Sequence, residues 1–550
     1  MEINCDWQEF GLCWVKAGAS TDTIFGFSEF ISAFALLVIV YTITDFKYKF
    51  RITIAPINLK VLTFFLIIII GFGTLISQLW VAQSWPTPSF NLSQALWQSI
   101  LALLFMMVLC LWIWFAFIYP PRFNRYNYKS YYQEMYRIII NGDENEINIL
   151  SEELCLSISE IVNSSINTKN NQLMKDSNSI LLLMGDRRFC NSLAKNNPMT
   201  IITIFESLAS LSSVPSNMGV VAANISTALI ANKDSQLYHE DNWISSGLLG
   251  HLKPLGQRIY GDYRMVEHLG NHNVSPFDIN LNASIDWDEQ QLRVYCQSIS
   301  LCLKSYVENK RDPNLCSTLF RAIHQVQSLI PNTSELNDCQ GNFYSTPASR
   351  RFRVILNFGK TMADILQESS INKENLKLRS QQQPNDIYDL VVEFYIDCIH
   401  SSACIKTDHL ALWVVQHNMV WNTLFFTEPK YSVRKIILHR LRRELFKEFE
   451  LLTSLPNHKS ARLLGYCLNV IWLNSSKKAS STNEHLLRKI LVRWINKNFI
   501  SLYNNYPNIA QSCLIGGISY NSDECSFKKL YRPLLDGSES SKTYKLNCNQ

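Results

Sequence analysis

Three apolar runs near the start of the chain, Phe25–Thr44, Val61–Val81 and Trp97–Tyr119, constrain what it can fold into. Each is about 20 residues long, and a helix of that length, at ~1.5 Å per residue, matches the ~30 Å hydrocarbon core of a bilayer. Lipid offers no partner to open backbone groups, so such segments are expected to be helical. The second and third runs carry no charged residue, and the first carries only Glu29 near its outer end. An amphipathic helix of a soluble core would show a polar stripe, which these lack. The expected fold class is mainly α, with three N-terminal transmembrane helices followed by a large α-rich cytoplasmic region.

Charge sets the expected orientation. The link between the first two runs holds Lys47, Lys49, Arg51 and Lys60 against Asp45, and the stretch after the third holds Arg122, Arg125, Lys129 and Arg137 against Glu134. The link around Gln83–Gln94 is uncharged, and the N-terminal tail is acidic, with Glu2, Asp6, Glu9 and Asp22 against Lys16. Positively charged loops stay cytoplasmic, so the N-terminus is expected outside and the body inside, in a multi-pass protein of a bacterial inner membrane. The start does not read as a cleaved secretory signal, because an acidic tail precedes a full-length span. Cys5 and Cys13 lie in that tail, where a disulfide and two free thiols are equally compatible with the sequence.

The body is long enough for two or three domains. Only 19 glycines and 17 prolines occur in 550 residues, below the usual ~7% and ~5%, which favours long helices over turn-rich β or glycine-loop folds. Apolar spacing near 3.6 residues marks helices at Tyr131–Ile140, Glu146–Ile166, Met199–Leu211, Gln291–Val307, Asn314–Leu329, Val354–Leu366, Asp386–His400, Tyr431–Leu452 and Ala461–Leu473. Polar stretches at Asn163–Ser179 and Pro331–Ser349 read as loops and domain boundaries. The expected organisation is a short extracytoplasmic tail (1–24), a transmembrane region (25–119, with spans 25–44, 61–81 and 97–119), an α-rich domain (120–330) with a polar His-rich insertion (239–288), a second α-rich domain (331–535) and a flexible tail (536–550).

Candidate sites are few. His268 and His272 are spaced as a helical metal pair, with a third ligand to come from His239, His251 or an aspartate, although the stretch is not an HExxH motif. Cys398, His400, Cys404 and His409 crowd together without zinc-finger spacing. Asn357–Thr361, NFGKT, ends like a phosphate-binding loop, but Val354 stands where that loop requires glycine. A basic helix around Arg434, Lys435, Arg440, Arg442, Arg443 and Lys447 reads as a solvated face, with a lipid surface and then nucleic acid as its sharper alternatives. Arg122, Arg125, Tyr126, Tyr128 and Lys129 interleave cations with rings that suit lipid headgroups, and are assigned to membrane anchoring. Gly71, Gly73 and Gln78 lie within the second run, as helix-packing or pore-lining positions.

The spans carry no mid-membrane charge of the kind that marks coupled carriers. Net charge is only +5, so nucleic acid is not an expected partner. No cofactor is expected, and a non-enzymatic role is favoured. The partners expected are the lipid bilayer and a protein partner or further copies of the chain. The leading expectation is an integral membrane protein whose three spans tether a partner-binding or sensing body. The alternatives are an oligomeric channel gated by that body, and a membrane-tethered metal-dependent hydrolase.

Overall fold

The computed structural model describes residues 7–9, 12–16, 24–43, 45–83, 85–88, 94–166, 168–211, 213–215, 217–241, 252–271, 274–279, 286–309, 317–330, 336–337, 346–368, 386–407, 409–425, 432–473, 482–531 and 540–546. The fold is mainly helical, and the chain divides into two compact units, Met1–Val221 and Ala222–Gln550. The first unit joins the apolar helices to the helices that follow them.

In the first unit, α1 (Phe27–Ile43), α3 (Leu59–Ala82) and α4 (Gln94–Ile113) form an apolar bundle. A short helix, α2 (Phe46–Thr53), links α1 to α3, and a π-helical turn at Trp114–Ile118 ends α4. Two helical stretches, Leu59–Ala82 and Ala95–Ile118, are long and apolar enough to cross a membrane. The expectation of three spans therefore holds at this level for two. The regular part of α1 has 17 residues, short of the ~20 that a span needs. Only 22% of each long stretch's most apolar window is buried. Phe64, Phe65, Phe72, Leu103 and Met106 are all more than half exposed, whereas core helices of a soluble protein enclose such side chains.

Phe30, Ile70, Leu101 and Phe105 form the buried centre of the bundle. The glycines of α3 make room for it. A Cβ on Gly71 would stand 3.0 Å from the Phe30 ring, and one on Gly73 would stand 3.0 Å from Leu101. Trp112 Nε1 donates to Thr63 Oγ1 at 2.9 Å, tying α4 to α3, and its ring meets Tyr41 of α1 edge-on at 5.4 Å. Gly71→Leu should therefore lower stability by about 1–3 kcal/mol through overpacking. Thermal unfolding of the detergent-purified protein checks this, with Gly71→Ala expected between wild type and Gly71→Leu.

The two ends of the bundle are built differently. At one end, β1 (Trp7–Glu9) and β2 (Leu12–Lys16) pair antiparallel, and β2 pairs with β3 (Pro86–Pro88) from the α3–α4 link. At the same end Gln98 Oε1 accepts the amide of Ile24 at 2.9 Å, just before α1. At the other end α2 packs on the π turn and on α5 (Tyr128–Asn141) and α6 (Glu144–Leu154). The tail lies at one end and α2 at the other, so α1 runs the length of the bundle.

Four further helices follow, α7 (Ile158–Ser164), α8 (Asn171–Leu183), α9 (Arg187–Asn196) and α10 (Pro198–Ala209), and the helix Met218–Ala231 begins at the end of the unit. The expected single helix at 146–166 is broken by a turn at Cys155–Ser157. The expected loop at 163–179 instead contains the start of α8. Asn170 caps it by accepting from the amides of Gln172 and Leu173, and Leu173, Ile180 and Leu181 bury its narrow apolar face. Asp176 and Ser177 share that buried face, so polar residues interrupt the apolar period.

In the second unit, the helices Glu289–Asn309 and Pro347–Glu368 pack together, and Ile387–Ala403 packs on Ser432–Ser454 and His458–Cys467. Two π-helical segments, Val414–Trp421 and Leu468–Trp472, touch each other. A small antiparallel sheet follows, β4 (Ile518–Asn521), β5 (Ser526–Leu530) and β6 (Ser541–Lys545). Strand β6 falls within the stretch 536–550 expected to be a flexible tail, and pairs along its whole length with β5.

Candidate functional site: the basic end of the bundle

At the end of the bundle carrying α2, charge and backbone converge. Arg51 of α2 forks onto Glu153 of α6, with Nε at 2.8 Å from one carboxylate oxygen and Nη2 at 2.7 Å from the other. Its remaining nitrogen, Nη1, donates to the carbonyl of Ala116 in the π turn at 2.8 Å. Lys47, one turn earlier, pairs with Glu152 at 2.9 Å and Glu153 at 3.4 Å. The hydrogen bonds that Arg51 donates to Glu153 hold its guanidinium above its ordinary range, and the bond that Lys47 donates to Glu152 does the same for Lys47. One guanidinium thus binds the link between two apolar helices, the end of a third and helix α6 beyond them. Such a bidentate pair fixes geometry as well as charge.

A second set of contacts reinforces it. Asn127 is buried and donates to the carbonyls of Ile54 at 2.8 Å and Arg122 at 2.9 Å, joining the end of α2 to the segment before α5. Ser157 Oγ accepts the Phe123 amide at 3.1 Å. The Tyr131 ring meets Phe50 and Phe123 edge-on, and burial pushes its hydroxyl pKa up. Around this packed node the expected anchoring residues point outward. Arg122, Arg125, Tyr126 and Lys129 are exposed and Tyr128 is half-buried. Arg125 lies 4.7 Å from the centre of the Tyr126 ring, and Lys129 lies 6.0 Å from that of Tyr128. The charge pattern of the sequence contains Arg51 and Lys47 but not their partners. Glu153, three residues after Leu150 and next to Leu154 on the buried face of α6, was the available signal.

The other candidates resolve into local structure. His268 is exposed on the helix Tyr263–Gly270, which ends before residue 272, and His239 is exposed on the separate helix Gln236–Asp241. His272 lies outside the described residues, as does His251. Among the described residues no group of three or more His, Cys, Asp and Glu side chains is placed to hold a metal. The acidic neighbours serve as caps and ion pairs. Glu240 accepts the amides of Leu255 and Gly256 at 2.7 and 2.8 Å, Asp278 accepts from Ser275, and Asp288 pairs with Lys233.

Cys398 is buried, and burial pushes its thiol pKa well up. Cys404 lies 3.6 Å from His400 and accepts from Arg462 at 3.1 Å. Asn357–Thr361 sits inside the helix Pro347–Glu368, where Gly359 lets the Phe394 ring approach. Gln78 is half-buried, and a Cβ on Gly26 would strike its amide. The basic helix buries its apolar stripe of Val433, Ile437, Leu441, Leu445 and Leu452. Its cations Arg434 and Arg440 are buried as well, paired with Asp364 and with Asp386 and Asp389.

No family model matches this chain, and no curated protein matches it. Among solved structures, a crystal structure of an engineered protein is similar at 11% identity over 70% of this chain and 95% of that one, with a TM-score of 0.20, a value that carries no argument about fold.

Proposed function

We propose that this chain is an integral membrane protein in which α1, α3 and α4 all span the bilayer and tether a large helical body with a partner-binding or sensing role. The N-terminus lies outside and the body lies in the cytoplasm. The observation that carries this reading is the Arg51 node. It gathers the basic link, the end of α4 and helix α6 at one end of the bundle, while the tail and the uncharged α3–α4 link share a sheet at the other. Three helices running between two such ends support three crossings, with α1 lengthened by Ile24–Gly26 at its start. The node supplies no bond-making chemistry. It makes the first unit a mechanical continuation of the bundle, so that a shift of α6 on partner binding is felt at the α2 link and at the π turn. Segments of π-helix often mark such functional positions.

Topology is the direct test. A reporter fused after Gln550 is expected to be active only on the cytoplasmic side, and a single cysteine placed in the 83–94 link is expected to react with impermeant thiol reagents from outside. A reporter active outside overturns the orientation. A link that cannot be reached from outside, with the C-terminus inside, overturns the three crossings. The oligomeric state in detergent separates a tether from a ring-shaped assembly, with a monomer or dimer expected here.

A further inference from the structure

The C-terminal sheet places two lysines side by side with no carboxylate paired to either among the described residues. Lys529 on β5 and Lys542 on β6 stand directly opposite each other in the register. Like charges in that position repel. Lys542 is exposed, but Lys529 is only 2% exposed. Its ammonium donates to the carbonyl of Asn469 at 2.5 Å and lies 4.7 Å from the centre of the Trp413 ring and 5.4 Å from that of Tyr531. Lys542 lies 5.5 Å from the same Tyr531 ring, which is fixed by its hydroxyl donating to the Leu473 carbonyl at 2.7 Å. Burial alone pushes Lys529 down to about 7, the mark of a cation lacking a counter-charge.

These residues line a cavity of about 750 Å³ in the second unit, and its described lining contains no carboxylate. One wall is apolar, formed by Leu410, Val414 and Trp413. Asn469, 1% exposed, also lines it. Its Nδ2 donates to Gln416 at 2.8 Å, while its Oδ1 has no hydrogen-bond partner among the described residues. Gly516, at φ +66°, keeps the space beside that amide open, since a Cβ there would lie 2.5 Å from Asn469 Nδ2. A buried cation needs an anion, a buried acceptor needs a donor, and both face one partly apolar cavity.

We propose that this cavity binds a small organic carboxylate carrying an apolar or aromatic group and a hydroxyl or amino donor. Its carboxylate sits between Lys529 and Lys542, its apolar part lies on Trp413, and its donor meets Asn469 Oδ1. Every residue lies in the second unit, so the site is independent of how the first unit meets a membrane.

The test uses the full-length protein in detergent, with phenyllactate, phenylacetate and phenyllactamide as probes in calorimetric titrations. Phenyllactate is expected to bind more than tenfold tighter than neutral phenyllactamide, and several-fold tighter than phenylacetate, which lacks the hydroxyl. Lys529→Met should weaken phenyllactate at least tenfold while leaving the fold intact, since it removes an uncompensated buried charge. Lys542→Met, at an exposed position that cannot unfold the core, should weaken it several-fold and decides the matter if the first variant does not fold. Equal binding of phenyllactate and its amide, phenyllactate binding that both lysine variants leave unchanged, or no binding of any probe at millimolar concentration overturns the proposal.

Discussion

Glu153→Ala is expected to destabilise the first unit by about 3–5 kcal/mol, the usual result of removing one partner of a buried ion pair. The Arg51 side chain is 11% exposed and that of Glu153 only 5%. Without the carboxylate the guanidinium keeps a single acceptor, the Ala116 carbonyl, and solvent cannot replace the other two hydrogen bonds. Lys47 loses one of its two partners in the same step. Thermal unfolding of detergent-purified protein should show a drop of about 6–20 °C, at ~2–4 °C per kcal/mol for a unit of this size. Arg51→Met combined with Glu153→Leu removes both charges and should recover most of the loss, which separates the penalty of an orphaned ion from general damage. A drop under about 1 kcal/mol for Glu153→Ala would show that the pair is solvated and that the node does not hold the bundle to α6.

Arg440→Ala should cost a comparable amount in the second unit, about 3–5 kcal/mol. The Arg440 side chain is 4% exposed, and its Nη1 reaches Asp386 at 2.5 Å and Asp389 at 3.0 Å. Those aspartates form the capping box of the helix Ile387–Ala403. Asp386 accepts the amides of Tyr388 and Asp389, while Asp389 accepts the amide of Asp386. The guanidinium also lies 5.5 Å from the centre of the Tyr388 ring. Losing it leaves two close carboxylates facing each other at a helix start. Arg440→Lys keeps the charge but not the planar fork, and should fall between wild type and alanine. Lys435→Ala, on the exposed side of the same helix, should change stability by less than about 0.5 kcal/mol. Chemical denaturation followed by far-UV circular dichroism distinguishes the three.

The apolar bundle was legible because its signal is local. Runs of uncharged residues near 20 in length specify helices from hydropathy alone, and the ends of α3 fall within two residues of those expected. The stripe Val433, Ile437, Leu441, Leu445 and Leu452 was legible for the same reason, since a 3.6-residue period survives without knowledge of what it packs against. Helix α8 was not, because Asp176 and Ser177 stand on its buried face beside Leu173, Ile180 and Leu181 and break the apolar period. Strand β6 was not, because a polar strand is stabilised by the neighbour it pairs with and not by its own pattern.

Charges divide along the same line. Lys47 and Arg51 could be counted in the sequence as a basic link, and that count underlies the proposed orientation. That Arg51 is saturated by Glu153 and Ala116, that Arg440 is interior, and that Lys529 is enclosed beside Asn469 all depend on partners 51 to 102 positions away. Composition and periodicity carry information about single segments, so they established the helical class, the apolar bundle and the side on which its cations gather. Ion pairs, caps and cavities are relations between distant segments, and came into view only once the chain was folded.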